Sequence, residues 1–236
     1  MSQNQLHNIR AVIFDVGNTL TYPDWARIHS VSRKFIDSPL DAVALQRRVS
    51  EILFVADKDK TFLENLAGNS VRTSWHILKL YEELGLSQAQ LEEMAMALDE
   101  LHTERHLWTH LKEDVLDVFQ QLKDRGLRLG VISNSEDGRV ESLLEAVKFI
   151  PYLDVYLDSY VVGYTKPDSQ IFLNAVKQLG VTPEQALFIG DSYTQDIIGA
   201  QQAGLEAVLF DPLDLHSQKD VRKIRSLKEV IEYFNQ

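Results

Sequence analysis

The chain has no cysteine. That absence removes disulfides, thiol nucleophiles and cysteine-bound zinc together, and it fits an intracellular protein. No apolar run is long enough to span a bilayer, and the first ten residues are polar, without the hydrophobic core of a secretory signal. A cytoplasmic location is the expectation. Positive charge is scarce: 24 Lys and Arg stand against 35 Asp and Glu, for a net charge of −11. A field of that sign disfavours nucleic acid and anionic membranes as partners. It leaves an anionic substrate open, because carboxylates that gather a divalent cation turn one acidic pocket into a phosphate site. Apolar residues make up 44% of the chain, which excludes disorder, and 236 residues suffice for one domain or one domain with an insertion.

The stretch the rest is organised around is Arg10 to Asp24, RAVIFDVGNTLTYPD. Ala11 to Phe14 form a short apolar run suited to a buried strand, with Asp15 at its end and Gly17-Asn18 breaking it. A carboxylate at the carboxyl end of a central strand lies where open α/β sheets bind ligands. Taken alone, it is equally a turn residue or helix cap.

From Pro23, read as a first-turn residue of a helix, to about Leu107 no strand pattern recurs. Leu40 to Val55 and Ser70 to Leu84 carry helical alternation, the second stopped by Gly85, and Ser87 to Gln90 has capping-box spacing ahead of a further helix. The apolar positions Trp75, Leu78, Leu80 and Tyr81 read as packing. His102, His106 and His110 recur every four residues, which on one continuous helix would make a metal-binding stripe; a solvated face near a domain junction is the stronger reading.

Beyond about Trp108, helix and strand alternate. Helices are expected over Lys112–Arg125, Arg139–Val147, Asp168–Leu179 and Thr194–Ala203, and a last one opens at Ser226 with a capping box to Glu229. Strands are expected over Leu127–Ile132, near Asp154–Leu157, over Ala186–Ile189 and over Glu206–Phe210. That alternation predicts an α/β fold, a Rossmann-like parallel sheet with helices on both faces. The first strand joins this later unit, and the helical block is an insertion. The expected division is a core of 1–21 and 108–236 with an inserted helical domain of 22–107.

Four strand ends then carry polar groups: Asp15 with Thr19, Ser133-Asn134, Lys166 in GYTKPD, and Gly190-Asp191-Ser192 with Asp196 one turn into the next helix. Each has an ordinary reading as a turn, cap or loop residue. In a parallel sheet, however, all strand carboxyl ends share one edge, so the four can converge.

These segments carry a resemblance. FDVGNTL, VISN, GYTKPDSQIF and GDSYTQD are similar, in order and spacing, to the four motifs of the haloacid dehalogenase superfamily, most of whose members are phosphatases. The helical insertion resembles that family's α-helical cap, whose members use such lids to exclude water and set substrate choice. The resemblance implies Asp15 as the nucleophile that forms an aspartyl-phosphate, and Ser133 as a hydrogen-bond partner of the phosphoryl group. It implies that Lys166 neutralises charge on both Asp15 and phosphate. Thr19, Ser133, Asn134 and Lys166 become the substrate-binding set. Asp15, the Gly17 carbonyl, Asp191 and Asp196 become the Mg²⁺ site. The chemistry agrees: a carboxylate attacks a phosphate dianion only where a metal and a lysine offset the repulsion, and magnesium prefers oxygen ligands.

One position departs from the pattern. The family's phosphatases usually carry a second Asp two residues after the nucleophile, as general acid; here it is Gly17, and losing such an acid costs on the order of 10² to 10⁴ in rate. Three readings follow: a leaving group that needs little protonation, such as an acyl phosphate or sugar 1-phosphate; a proton from Tyr22, Asp24 or a cap histidine; or a weak enzyme kept for another purpose. The expected function is a magnesium-dependent phosphatase acting on a small phosphorylated metabolite. The alternatives are a metal-independent dehalogenase and a non-catalytic binding protein of the same fold. The sequence assigns neither the substrate nor an oligomeric state.

Overall fold

The computed structural model describes residues 8–36, 40–58, 75–112 and 114–234. The chain divides into two compact units, Met1–Thr21 with Leu111–Gln236, and Tyr22–His110. The second crossing falls three residues later than the sequence pattern suggests, because Leu107 is buried in the core of the inserted unit and Trp108 packs against it.

The strands are β1 (Ala11–Phe14), β2 (Thr21–Tyr22), β3 (His110–Leu111), β4 (Arg128–Ser133), β5 (Val155–Asp158), β6 (Ala186–Gly190), β7 (Glu206–Phe210) and β8 (Lys223–Ile224). The first unit is built on a sheet of parallel strands in the order β5-β4-β1-β6-β7-β8. β1 is central, pairing Phe14 with Val131 on one side and Ile189 on the other. All four of its residues are buried, as a strand covered on both faces requires. Alternation sends Ala11 and Ile13 into a core with Ile171, Phe172 and Ala175 of helix Ser169–Leu179. Phe14 meets Phe119 of helix Val115–Asp124 on the other face, with ring centroids 5.4 Å apart. Helices on both faces and an all-parallel sheet make the core Rossmann-like α/β. The short β8, which the sequence pattern did not signal, extends the sheet beyond β7.

The second unit packs helices Trp25–Ser32, Ala42–Lys58, Trp75–Glu83 and Gln88–Glu104 around one apolar cluster that includes Trp25, Leu45, Leu80, Tyr81 and Leu98. The expected start of the third helix at Ser70–Ser74 lies outside the described residues. Gly85, at φ +103°, ends that helix as expected. Pro23 does not enter the first helix: Asp24 is its N-cap and accepts a hydrogen bond from Arg27 N at 3.2 Å, so the proline precedes the cap. Nor do the three histidines share a helix. The last helix of this unit ends at Glu104, and Arg105 is extended. His102 is buried and His110 lies in the two-residue strand His110–Leu111, which pairs with Thr21–Tyr22. Among the described residues no helix is long and apolar enough to cross a membrane.

Candidate functional site

Parallel strands deliver their carboxyl ends to one edge, and there the polar residues of β1, β4 and β6 meet. Asp15 follows β1, and its backbone N–H still bonds Ile189 O of β6 at 2.8 Å, so the sheet ladder fixes its Cα. The chain then folds back within five residues: Leu20 N and Thr21 N both donate to Val16 O, at 2.9 and 3.0 Å, with Asn18 in the left-handed region at φ 60°. Gly17 lies in this turn, bridged to Thr21. The turn returns Thr19 toward β6, where its hydroxyl donates to Asp191 Oδ1 at 3.4 Å.

Lys166 is buried, and its ammonium lies 2.6 Å from Asp15 Oδ1 and 2.7 Å from Asp196 Oδ1. Its loop is held through the backbone. Lys166 N donates to Asn134 Oδ1 at 2.9 Å, and Asn134 Nδ2 donates to Lys166 O at 3.0 Å. Gly199 supports the loop from beneath, since a Cβ there would sit 2.9 Å from Pro167 Cα. Asn134, expected on substrate, thus has its amide engaged with the lysine's own peptide groups. Ser133 ends β4, in register with Asp158 of β5.

Asp196 departs from the expected regular helix. Tyr193–Ile198 form a π-helical turn capped by Ser192, continued by α-helix only over Gly199–Gln202. Such wide turns commonly mark functional sites, because they re-aim a side chain. Here the turn buries the Asp196 carboxylate beside Gly190, where any Cβ would collide with it, and Ser192 N donates to Asp196 Oδ2 at 3.0 Å.

Carboxylate oxygens of Asp15, Asp191 and Asp196 lie within 4.8 Å of one another. Three carboxylates, with Lys166 between two of them and Lys112 in the neighbourhood of the third, carry an excess of negative charge. Burial, together with the charges of Asp15 and Asp196, pushes Asp191 well above the usual carboxylate range. Burial and the Asp15 charge, partly offset by Lys166, push Asp196 up to about 6. Burial opposes the charge of Lys166, but Asp15 and Asp196 outweigh it and hold the ammonium firmly protonated. Asp15 Oδ2 is buried with no hydrogen-bond partner. An orphaned oxygen on one of three clustered carboxylates fits a hard divalent cation taking oxygen ligands, with Asp15, Asp191 and Asp196 as the protein donors.

Two residues near this centre were not legible beforehand. Lys112, expected to open a helix, lies ahead of one that starts at Val115, after Asp114 in the left-handed region. Its backbone N–H bonds Leu20 O at 3.1 Å, and its ammonium lies 3.6 Å over the Phe210 ring at the end of β7. Burial lowers its pKa to about 8, against the pull of the Asp191 charge. Gln195, one residue before Asp196, reaches Asn134. A lone lysine and a glutamine carry no local sequence signal for such placement.

Residues 9–204 match the family model described as haloacid dehalogenase-like hydrolase. The chain is 28% identical over 200 residues to a glyceraldehyde 3-phosphate phosphatase of Methanopyrus kandleri, covering 85% of this chain and 83% of that protein. It is 27% identical over 226 residues to phosphatase MT3486 of Mycobacterium tuberculosis, covering 95% and 98%. Its fold is similar to that of a HAD phosphatase from Thermococcus onnurineus, with a TM-score of 0.60 at 23% identity, covering 96% of this chain and 98% of that one.

Proposed function

The chain belongs to the haloacid dehalogenase-like hydrolases, and from that premise we propose that it is a magnesium-dependent phosphatase acting on a small phosphomonoester through an aspartyl-phosphate at Asp15. The observation that carries this reading is the buried cluster itself, in which Lys166 bridges Asp15 and Asp196 while Asp15 Oδ2 stays unpaired. A dehalogenase of this family needs no metal, and three clustered carboxylates, two of them buried, are difficult to account for without one. The phosphatase names of the relatives from Methanopyrus kandleri and Mycobacterium tuberculosis point the same way.

In this reading a carboxylate oxygen of Asp15 forms the bond to phosphorus as the ester oxygen leaves with its electron pair. Water then attacks the acyl-phosphate, releasing inorganic phosphate and restoring the carboxylate. Lys166 holds its positive charge throughout, beside both Asp15 and the phosphoryl oxygens, and Ser133 donates to one of those oxygens. Magnesium, when bound to Asp15, Asp191 and Asp196 with the Gly17 carbonyl, supplies charge neutralisation at the phosphoryl group. Thr19 orients Asp191 through the 3.4 Å hydrogen bond, and Asn134 serves as a support for Lys166.

The missing acid at Gly17 bears on the substrate. Asp24, one alternative donor, is committed as a helix N-cap and pairs with Arg105 at 3.0 Å. His102 accepts from Leu107 N at 3.4 Å. His76 is buried and held neutral, its pKa lowered to about 4 by burial. These engagements narrow the choice to a leaving group that departs with little protonation, such as an acyl phosphate or a sugar 1-phosphate, or a proton from Tyr22 or another cap histidine. The test is phosphate release from p-nitrophenyl phosphate, an ester with a good leaving group, with and without magnesium, for wild type and Asp15→Asn. Turnover that needs both magnesium and Asp15 supports the reading. Folded protein without turnover, or turnover that survives Asp15→Asn, refutes it.

A further inference from the structure

Lysine is a poor choice for a fixed charge unless something fixes it, since its ammonium sits on a flexible four-carbon stem. Here the ammonium is placed between two carboxylates, at 2.6 and 2.7 Å. Its backbone is clamped by one primary amide, that of Asn134, which receives Lys166 N and donates to Lys166 O. The N–H and C=O of Lys166 fix the orientation of that amide, since its oxygen takes the one and its nitrogen the other. The second N–H of Asn134 donates to Gln195 Oε1 at 3.2 Å, which tethers the amide to the turn after β6. Gln195 is in turn anchored, its backbone N–H donating to Ser192 Oγ at 3.0 Å at the cap of the π-helical turn. The turn that aims Asp196 is therefore also tied to the amide that clamps Lys166.

We propose that Gln195 is a positioning residue for Lys166, acting through the Asn134 amide to tie the loops after β4 and β6 to the lysine loop. This rests on the reading of Lys166 as the charge-neutralising group of a phosphatase. Misplacing such a group by about 1 Å can cost on the order of 10²-fold in rate. Because the backbone clamp on Lys166 survives in part without Gln195, a loss of about ten-fold in kcat is expected for Gln195→Leu.

The experiment measures kcat and KM with p-nitrophenyl phosphate and saturating magnesium, together with Tm, for wild type, Gln195→Leu, Asn134→Ala, the double variant of these two, and Lys166→Met. Leucine should lose about ten-fold in kcat at unchanged Tm. Added to Asn134→Ala, it should cost less than about two-fold more, because the two act through one contact. The inference is overturned if Gln195→Leu turns over like wild type while Lys166→Met is inactive, or if its full loss persists in the Asn134→Ala background. A Tm that falls in step with activity also overturns it, since that is plain loss of structure. If Lys166→Met turns over like wild type, the catalytic reading of Lys166 falls, and this inference with it.

Discussion

Lowering the pH should strip magnesium from the protein in a calculable way. A cation of this kind takes ionised carboxylates, so each proton held by a ligand must leave on binding. Asp196 sits at about 6, raised by burial and by the Asp15 charge. At pH 7.5 it is nearly all ionised, whereas at pH 5 roughly one molecule in ten has it so. Apparent magnesium affinity should therefore fall about ten-fold between those values from Asp196 alone. Asp191, raised well above its ordinary range by burial and by its two carboxylate neighbours, must lose a proton as well, which steepens the fall. Isothermal titration calorimetry measures this directly, and repeating it at pH 6 in two buffers of different ionisation enthalpy counts the protons released. Circular dichroism at pH 5 confirms that the protein is still folded. Asp196→Asn should bind magnesium weakly at both values, with a shallower pH dependence. Affinity that is flat from pH 5 to 7.5, or binding without proton release, would refute these carboxylates as the ligands.

Three further outcomes follow from other contacts. Gly190→Ala drives a methyl group into the Asp196 carboxylate, so stability should drop by about 1–3 kcal/mol, and magnesium should no longer raise Tm; an unchanged magnesium effect would show that Asp196 is not involved. Lys112→Met removes a cation from the neighbourhood of Asp191 and should tighten magnesium binding by about five-fold at pH 7.5; weaker binding would mean that Lys112 supports the site. His76 has the same pH sense as a paired carboxylate, and the opposite sense to the raised Asp191 and Asp196. Its folded value is about 4 against 6.5 when free, because burial disfavours the charged form, so the unfolded chain takes up the proton first. Stability is then lost as pH falls from 6.5 toward 4, by about 2 kcal/mol at pH 5, and urea unfolding of His76→Phe beside wild type should show that loss only in the wild type.

Most of the architecture was legible in the residues because it rests on local signals. Buried parallel strands demand continuous apolar runs such as AVIF and ALFI, helices demand 3.6-residue periodicity and caps such as Ser87 and Asp168, and their alternation leaves little choice but a parallel sheet. Four polar strand ends therefore had to share an edge, and the sequence alone could nominate Asp15, Lys166, Asp191 and Asp196. Local signals could not say which atoms meet. That Lys166 bridges Asp15 and Asp196, that Asn134 spends its amide on the Lys166 backbone, and that Gln195 accepts its remaining N–H are contacts between residues 30 to 151 positions apart. The π-helical turn was equally invisible: the run Tyr193–Ile198 satisfies helical periodicity, and the wider turn, which lays the Asp196 carboxylate against a side-chain-free Gly190, is a feature of the folded chain. Lys112 reads along the chain as a solvated helix residue, yet the fold lays it on Phe210, roughly a hundred residues away, because packing on an aromatic face is a property of space and not of sequence.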